Sequence, residues 1–306
     1  MHLPSASPNR LMIVGALHVD DIATTCSPLI AQASNPVTWA HHIGGVAANA
    51  AFSAREIAHS ARQIGFCAAT GNDAVANQLE QALITAGLDA CLQRLPDYPT
   101  GRYTAIMNHD GELHIGLSDV ALAERLEADC VPLGSEADPC QALLMDANLS
   151  ADCLARLARR AAGMGIAVAA MSVSPVKSRR LLPLASHIDL LFVNRREAIA
   201  LIDRNVSLDL PIEQLADGLS ELGFRQFILT DATDPVLVQD GSTRQCIPVP
   251  ATEDRVSVNG AGDALAGACF AAWCDGLTLA DAVRTVGLKQ SVSVVSGERR
   301  PPTVNG

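Results

Sequence analysis

Apolar positions in this chain come in short unbroken runs separated by longer stretches of helical periodicity. Residues 11–17 (Leu-Met-Ile-Val-Gly-Ala-Leu) form one such run, the pattern of a parallel strand covered by helices on both faces. Behind Gly44-Gly45, the Ala-rich stretch 46–59 predicts a helix, 63–69 a strand and 74–86 a helix. The alternation resumes with strand 142–145, helix 151–162, strand 166–170, helix 178–185, strand 190–193 and helix 197–203. Strands alternating with helices predict βαβ units, hence an α/β fold around a central, mostly parallel, doubly wound sheet.

Two segments break that rhythm. Residues 103–108 and 112–117 flank His109-Asp110-Gly111, a hairpin signal in which Asp-Gly tolerates the positive φ of a tight turn. The polar stretch 19–43 is neither helical nor core-like. Together, as 19–43 and 97–120, they are expected to build a small β-lid over one end of the strands, leaving 1–18, 44–96 and 121–306 as the α/β core. A surface hairpin without a binding role is the plainer alternative. A second hairpin, 235–249, turns at Asp240-Gly241 behind strand 226–230.

Composition narrows the function. The 306 residues carry 22 Lys+Arg against 33 Asp+Glu, a net charge of −11, which excludes a protein that binds nucleic acid by replacing its counterions. With 49% hydrophobic and 3% aromatic residues, the core must be aliphatic. The nine cysteines form no C-x-x-C pair and mostly sit in apolar runs, as expected of buried thiols in a reducing cytoplasm. No H-E-x-x-H or Cys/His cluster predicts a structural metal, and His41-His42 reads as a surface or lid pair. No apolar run reaches the ~18 residues of a membrane span. Neither a membrane partner nor a signal peptide is expected.

Chemistry concentrates in two glycine-rich turns. Asn259-Gly260-Ala261-Gly262-Asp263 leads into the apolar stretch 264–273. Small residues at a helix start leave backbone N–H groups open to an anionic oxygen. Asp263 at the edge of such a hole would repel the anion, and is better suited to take a proton from a nucleophile facing it. A glycine-rich cap with Asp in its first turn is the plain structural alternative. Gly44-Gly45 precedes the second helix start, with Asn49 one turn in. Neither turn is a G-x-x-x-x-G-K-[ST] loop or a G-x-G-x-x-G fingerprint.

In order and spacing, Gly44-Gly45 with Asn49, Asn194-Arg195-Arg196-Glu197, and Gly260-Ala261-Gly262-Asp263 resemble the motifs of the ribokinase-like (phosphofructokinase-B) family of carbohydrate and nucleoside kinases. Thr100-Gly101-Arg102-Tyr103, Asp146-Ala147-Asn148-Leu149-Ser150 and Val173-Ser174-Pro175-Val176-Lys177 are most similar to its pseudouridine kinase branch. The resemblance implies a three-layer sandwich with a β-sheet lid, and transfer of the ATP γ-phosphoryl group to the 5′-hydroxyl of a nucleoside. A kinase of another nucleoside or pentose, or a non-catalytic nucleoside-binding relative, are the alternatives. It implies Asp263 as general base, the Gly260, Ala261 and Gly262 amides against the phosphoryl group, and Asp20, Gly44, Gly45, Asn49 and Lys177 at the substrate. For Lys177, a solvated lysine beside Arg179-Arg180 is the alternative. Asn194, Thr230 and Asn259 fall at the nucleotide and Glu197 at Mg²⁺; pairing of lids would make a homodimer.

The chain departs from the family pattern in three places. Ser257 and Asn259 replace an acidic or asparagine residue and a threonine, which leaves a monovalent-cation site open. Asp231-Ala232-Thr233-Asp234-Pro235 replaces a Gly-x-x-Gly turn, adding two carboxylates and removing an N–H beside the expected ATP site. Met171-Ser172 stands where Asp-Pro or Glu-Pro is usual.

Overall fold

The parallel strands are apolar on both faces, and helices cover both. In the computed structural model, which describes residues 10–135, 140–202, 210–251, 260–298 and 302–303, the strands are β1 (Arg10–Val14), β2 (His18–Thr25), β3 (Val37–Gly44), β4 (Gln63–Gly71), β5 (Asp89–Leu95), β6 (Arg102–Met107), β7 (Leu113–Asp119), β8 (Ala142–Asp146), β9 (Ala167–Met171), β10 (Leu190–Asn194), β11 (Gln226–Thr230), β12 (Val236–Asp240) and β13 (Thr243–Ile247). The helices are α1 (Val46–Ile57), α2 (Ala74–Thr85), α3 (Ala151–Gly163), α4 (Pro175–Ser178), α5 (Arg195–Ile202), α6 (Ile212–Glu221), α7 (Ala261–Cys274), α8 (Leu279–Ala282) and α9 (Leu288–Val295).

Nine strands form one sheet in the order β13-β12-β11-β10-β9-β8-β1-β4-β5, with every pairing parallel except β11 with β12 and β12 with β13. Alternate residues of β1 feed opposite layers. Leu11 and Ile13 pack with α1, α2 and α7, whereas Met12 and Val14 pack with α3, α5 and α6. From β1 the chain continues to β4 on one side and β8 on the other, so the carboxyl end of β1 lies at a topological switch point, the usual crevice for a ligand.

The two segments that broke the βα rhythm form a separate sheet in the order β3-β2-β6-β7. Its outer strand β7 is exposed along its whole length, and Leu113, Ile115 and Leu117 are among the exposed large apolar residues. The patterning did not reveal edge strand β5, α6, or α8 and α9. The expected helix at 178–185 is a 3₁₀ helix, Arg179–His187, with Pro183 inside it. Among the described residues no helix is long and apolar enough to cross a membrane, and no disulfide joins any of the nine cysteines.

One helix contact sets the site. Helices α1 and α7 are Ala-rich, and at Gly267 a Cβ would collide with the Ala50 carbonyl oxygen. Ser53 Oγ donates to Ala264 O across the same contact at 2.6 Å. This closeness brings the first turns of the two helices together. Gly267→Ala is therefore expected to force the helices apart and lower stability by ~1–3 kcal/mol, the range for overpacking a tight core. Denaturant unfolding measures it, and an unchanged midpoint would show that the helices separate freely.

Candidate active site

Glycines at the start of α1 let it approach the end of β1. Gly45 has φ 117°, and a Cβ there would strike the Ala16 carbonyl. Next to this contact Asp146, at the end of β8, is fully buried. Its Oδ2 accepts from Ala16 N (3.0 Å), Ala47 N (3.1 Å) and Asn148 Nδ2 (3.1 Å), and its Oδ1 from Asn148 N (2.9 Å). Burial pushes this carboxyl above its ordinary value, and the four N–H donors pull it down. Asn148 Oδ1 then accepts from Lys177 Nζ at 2.9 Å, so Lys177 is fixed by a hydrogen bond rather than freely solvated.

Asp263 lies in the first turn of α7. Asn49 Nδ2, one turn into α1, donates to its Oδ2 at 3.0 Å. Burial pushes the Asp263 carboxyl up to about 7; the charges of Asp146 and Glu197 add to the rise, and the Asn49 hydrogen bond and His18 oppose it. Gly260 takes the left-handed N-cap position with φ 79°, and no side chain caps the first-turn N–H groups. These amides open on a cavity of about 380 Å³ lined by Gly260, Gly262, Asp263, Asn194, Glu197 and Thr230.

Asn194 and Glu197 are bonded reciprocally. Glu197 N donates to Asn194 Oδ1, and Asn194 N donates to Glu197 Oε2, both at 3.0 Å. This capping box starts α5 at Arg195, two residues before the expected position. Ser172 Oγ also donates to Glu197 Oε2, at 2.5 Å. Beside Ser172, Val173 has φ 68° and Ser174 N donates to Ser172 O at 2.8 Å, a strained three-residue turn lining the cavity.

A second cavity, about 560 Å³, shares Asn194, Thr230, Gly262 and Leu265 with the first and is otherwise walled by Val236, Val249, Leu288, Val292 and Val295, with Ala261, Ala232 and Thr233 at its border. Here one expectation needs correction. The Asp231 charge is not left facing the cavity, because Arg195 Nε lies 2.5 Å from its Oδ2; only Asp234 is exposed. Ala232 holds φ 48°, so the loop keeps a left-handed turn without a glycine. Asn259 and Ser257 lie outside the described residues.

Asp20 projects from β2 against Gly44, where a Cβ would collide with its carboxylate. Its Oδ1 is 2.9 Å from His18 Nδ1, yet neither buried atom has a hydrogen-bond partner among the described residues. The structure thus gathers Asn194, Glu197, Thr230, Gly260, Gly262 and Asp263 around one cavity and ties Asn49 to them, while Lys177 stands apart. Sequence reasoning assigned no role to His18, Asp146 or Val173. The spacing His18-Val-Asp20 on an alternating strand was the one available signal for His18, since it puts both side chains on the same face.

Known proteins resemble this chain in sequence and fold. The model of the pfkB family carbohydrate kinases matches residues 9–287. Over 277 residues the chain is 24% identical to pseudouridine kinase of Escherichia coli (strain K12), covering 90% of this chain and 87% of that protein. A carbohydrate kinase from Agrobacterium tumefaciens superposes with a TM-score of 0.80 at 27% identity, covering 96% of this chain and 94% of its own. Ribokinase from Thermotoga maritima shares the fold, with a TM-score of 0.77 at 20% identity over 94% and 92% of the two chains.

The raised carboxyl of Asp263 has a stability consequence. In the unfolded chain it ionises near ~3.9, whereas in the fold it holds its proton up to about 7. The native state binds the extra proton between those values, so this group's contribution is complete below the lower one and is lost as pH rises through the higher. Asp263→Asn is expected to shift the denaturant midpoint upward relative to the parent at about pH 8 and much less at about pH 4. A variant less stable than the parent at the higher pH would mean that the site stabilises the carboxylate.

Proposed function

The chain belongs to the pfkB family of carbohydrate kinases, and from that premise we propose that it is an ATP-dependent pseudouridine kinase that phosphorylates the 5′-hydroxyl. A phosphotransferase with an alcohol acceptor follows from the family itself. The observation that carries the mechanism is the Asn49–Asp263 pair beside the open amides of α7. Asn49 occupies one carboxylate oxygen and orients the group, leaving the other to take the hydroxyl proton. A carboxylate held near about 7 is a stronger base than an ordinary one while still ionised in part at neutral pH. The Gly260, Ala261 and Gly262 amides face the phosphoryl group as it moves, where fixed dipoles contribute most.

Asp20, whose carboxylate lies 2.9 Å from His18 Nδ1, suits ribose hydroxyls, which both donate and accept. The apolar second cavity suits a purine base, with the phosphates passing Asn194 and Thr230 toward Gly262. Glu197 offers a carboxylate and Asn194 an amide oxygen to hydrated Mg²⁺, a cation commonly held by one or two carboxylates together with substrate phosphates. When bound, the ion neutralises developing phosphate charge. The small sheet acts as the lid on the acceptor, and the exposed row Leu113, Ile115 and Leu117 is a surface for a second copy of the chain.

ADP release from Mg·ATP with pseudouridine, uridine, adenosine and ribose side by side is expected to be fastest with pseudouridine. A higher kcat/KM for another acceptor would transfer the assignment to that substrate, and no release with any would make the chain a binding relative. Asp263→Asn should keep nucleoside binding and lose ~10²–10⁴ in kcat, the scale of general base catalysis. Full turnover would remove Asp263 from that role.

A further inference from the structure

On the side of the sheet away from Asp263, four of the nine thiols converge, and the kinase reading uses none of them. Cys67 on β4 lies directly opposite Cys91 on the parallel edge strand β5. Adjacent strands are ~4.8 Å apart, inside the ~4.4–6.8 Å between Cα atoms that a disulfide spans. Both sulfurs lie against one oxygen, the Cys130 carbonyl, at 3.9 and 3.6 Å. Cys153 completes the group from the first turn of α3. Among the described residues no His, Cys, Asp or Glu cluster is arranged to hold a metal ion, so the thiols are available to one another.

We infer that Cys91 and Cys67 form a peroxide-reactive thiol pair, in which Cys91 is the attacking sulfur and Cys67 the resolving one. Access fits this order. Cys91 is half-buried at the edge of the sheet and Cys67 is fully buried beneath it. Charge fits it as well. The hydrogen bond with Cys67 holds the Cys91 thiol down at about 7, aided by Arg10 and opposed by burial and Asp89. The same contact, with burial, keeps Cys67 protonated. Cys130 is more exposed, but burial of its sulfur and the nearby Glu127 and Asp129 push that thiol up.

The chemistry balances. The Cys91 thiolate attacks one oxygen of hydrogen peroxide, the O–O bond breaks, and hydroxide leaves with a sulfenic acid on Cys91. Cys67 sulfur then attacks the Cys91 sulfur, forming the S–S bond while the hydroxyl departs with the Cys67 proton as water. Two thiols are oxidised by two electrons and one peroxide is reduced to two waters.

The test uses the whole protein and its own cysteines as controls. A brief iodoacetamide pulse near neutral pH, followed by peptide mapping, is expected to label Cys91 roughly tenfold faster than exposed Cys26 and Cys246. The lowered Cys91 thiol is ionised in good part near neutral pH, and the thiolate is the form that reacts. Cys67→Ala should slow this labelling by removing the S–H donor. Dilute peroxide should yield a Cys67–Cys91 disulfide in the parent. In Cys67→Ala, Cys91 should instead stop at the sulfenic acid, trapped with dimedone. Labelling of Cys26, Cys246 or Cys130 ahead of Cys91 would overturn the inference, as would a peroxide product that leaves Cys67 reduced in the parent.

Discussion

Asp146 is a carboxylate with no contact with solvent and four N–H groups converging on it, and the half of the site proposed for the acceptor depends on it. Its partners come from three separate elements: the turn after β1, the start of α1 and the turn after β8. Each would leave a buried donor unpaired without it, at a cost of about 1–3 kcal/mol apiece. The carboxylate therefore fixes the relative positions of the loop that leads into Asp20, the helix that carries Asn49, and the turn that orients Asn148 and, through it, Lys177. A charge buried this deeply is costly, and here that cost holds a geometry that apolar packing alone would leave loose.

The half proposed for the phosphate donor is built from backbone. Close packing of α1 on α7 presents uncapped amides and Asp263 side by side, and the capping box of α5 delivers Asn194 and Glu197 to the same cavity. Glu197 illustrates two demands on one residue: its Oε2 starts a helix and meets Ser172, and its charge still helps to raise Asp263. Destabilised ionisation at Asp263 and strain at Val173 mark the same cavity, as expected where function rather than stability has set the local structure.

Much of this was legible in the sequence because it is local. Unbroken apolar runs identified the buried strands, and Gly44-Gly45 and Gly260 to Asp263 announced the starts of α1 and α7. What stayed hidden depends on pairs far apart in the chain. Nothing near Asp146 indicates that Ala16 and Ala47 will donate to it, and the 231–235 loop read as excess negative charge because Arg195 comes beside Asp231 only in the fold. Edge strand β5 escaped because its half-buried residues lack the continuous apolar run of a central strand. The motif that looked like a metal ligand, Asn194-x-x-Glu197, is also a helix cap, and both readings need the same spacing.

The claim that one buried carboxylate assembles the acceptor site is tested most directly by Asp146→Asn, which conserves shape but turns an NH₂ toward backbone donors. Nucleoside binding by calorimetry, read with thermal unfolding of the same variant, is the decisive measurement. The account predicts that nucleoside affinity falls at least tenfold and that stability drops by about 2 kcal/mol or more, as unpaired buried N–H groups require, with ATP binding much less affected. Unchanged nucleoside affinity in a variant that still folds would contradict it.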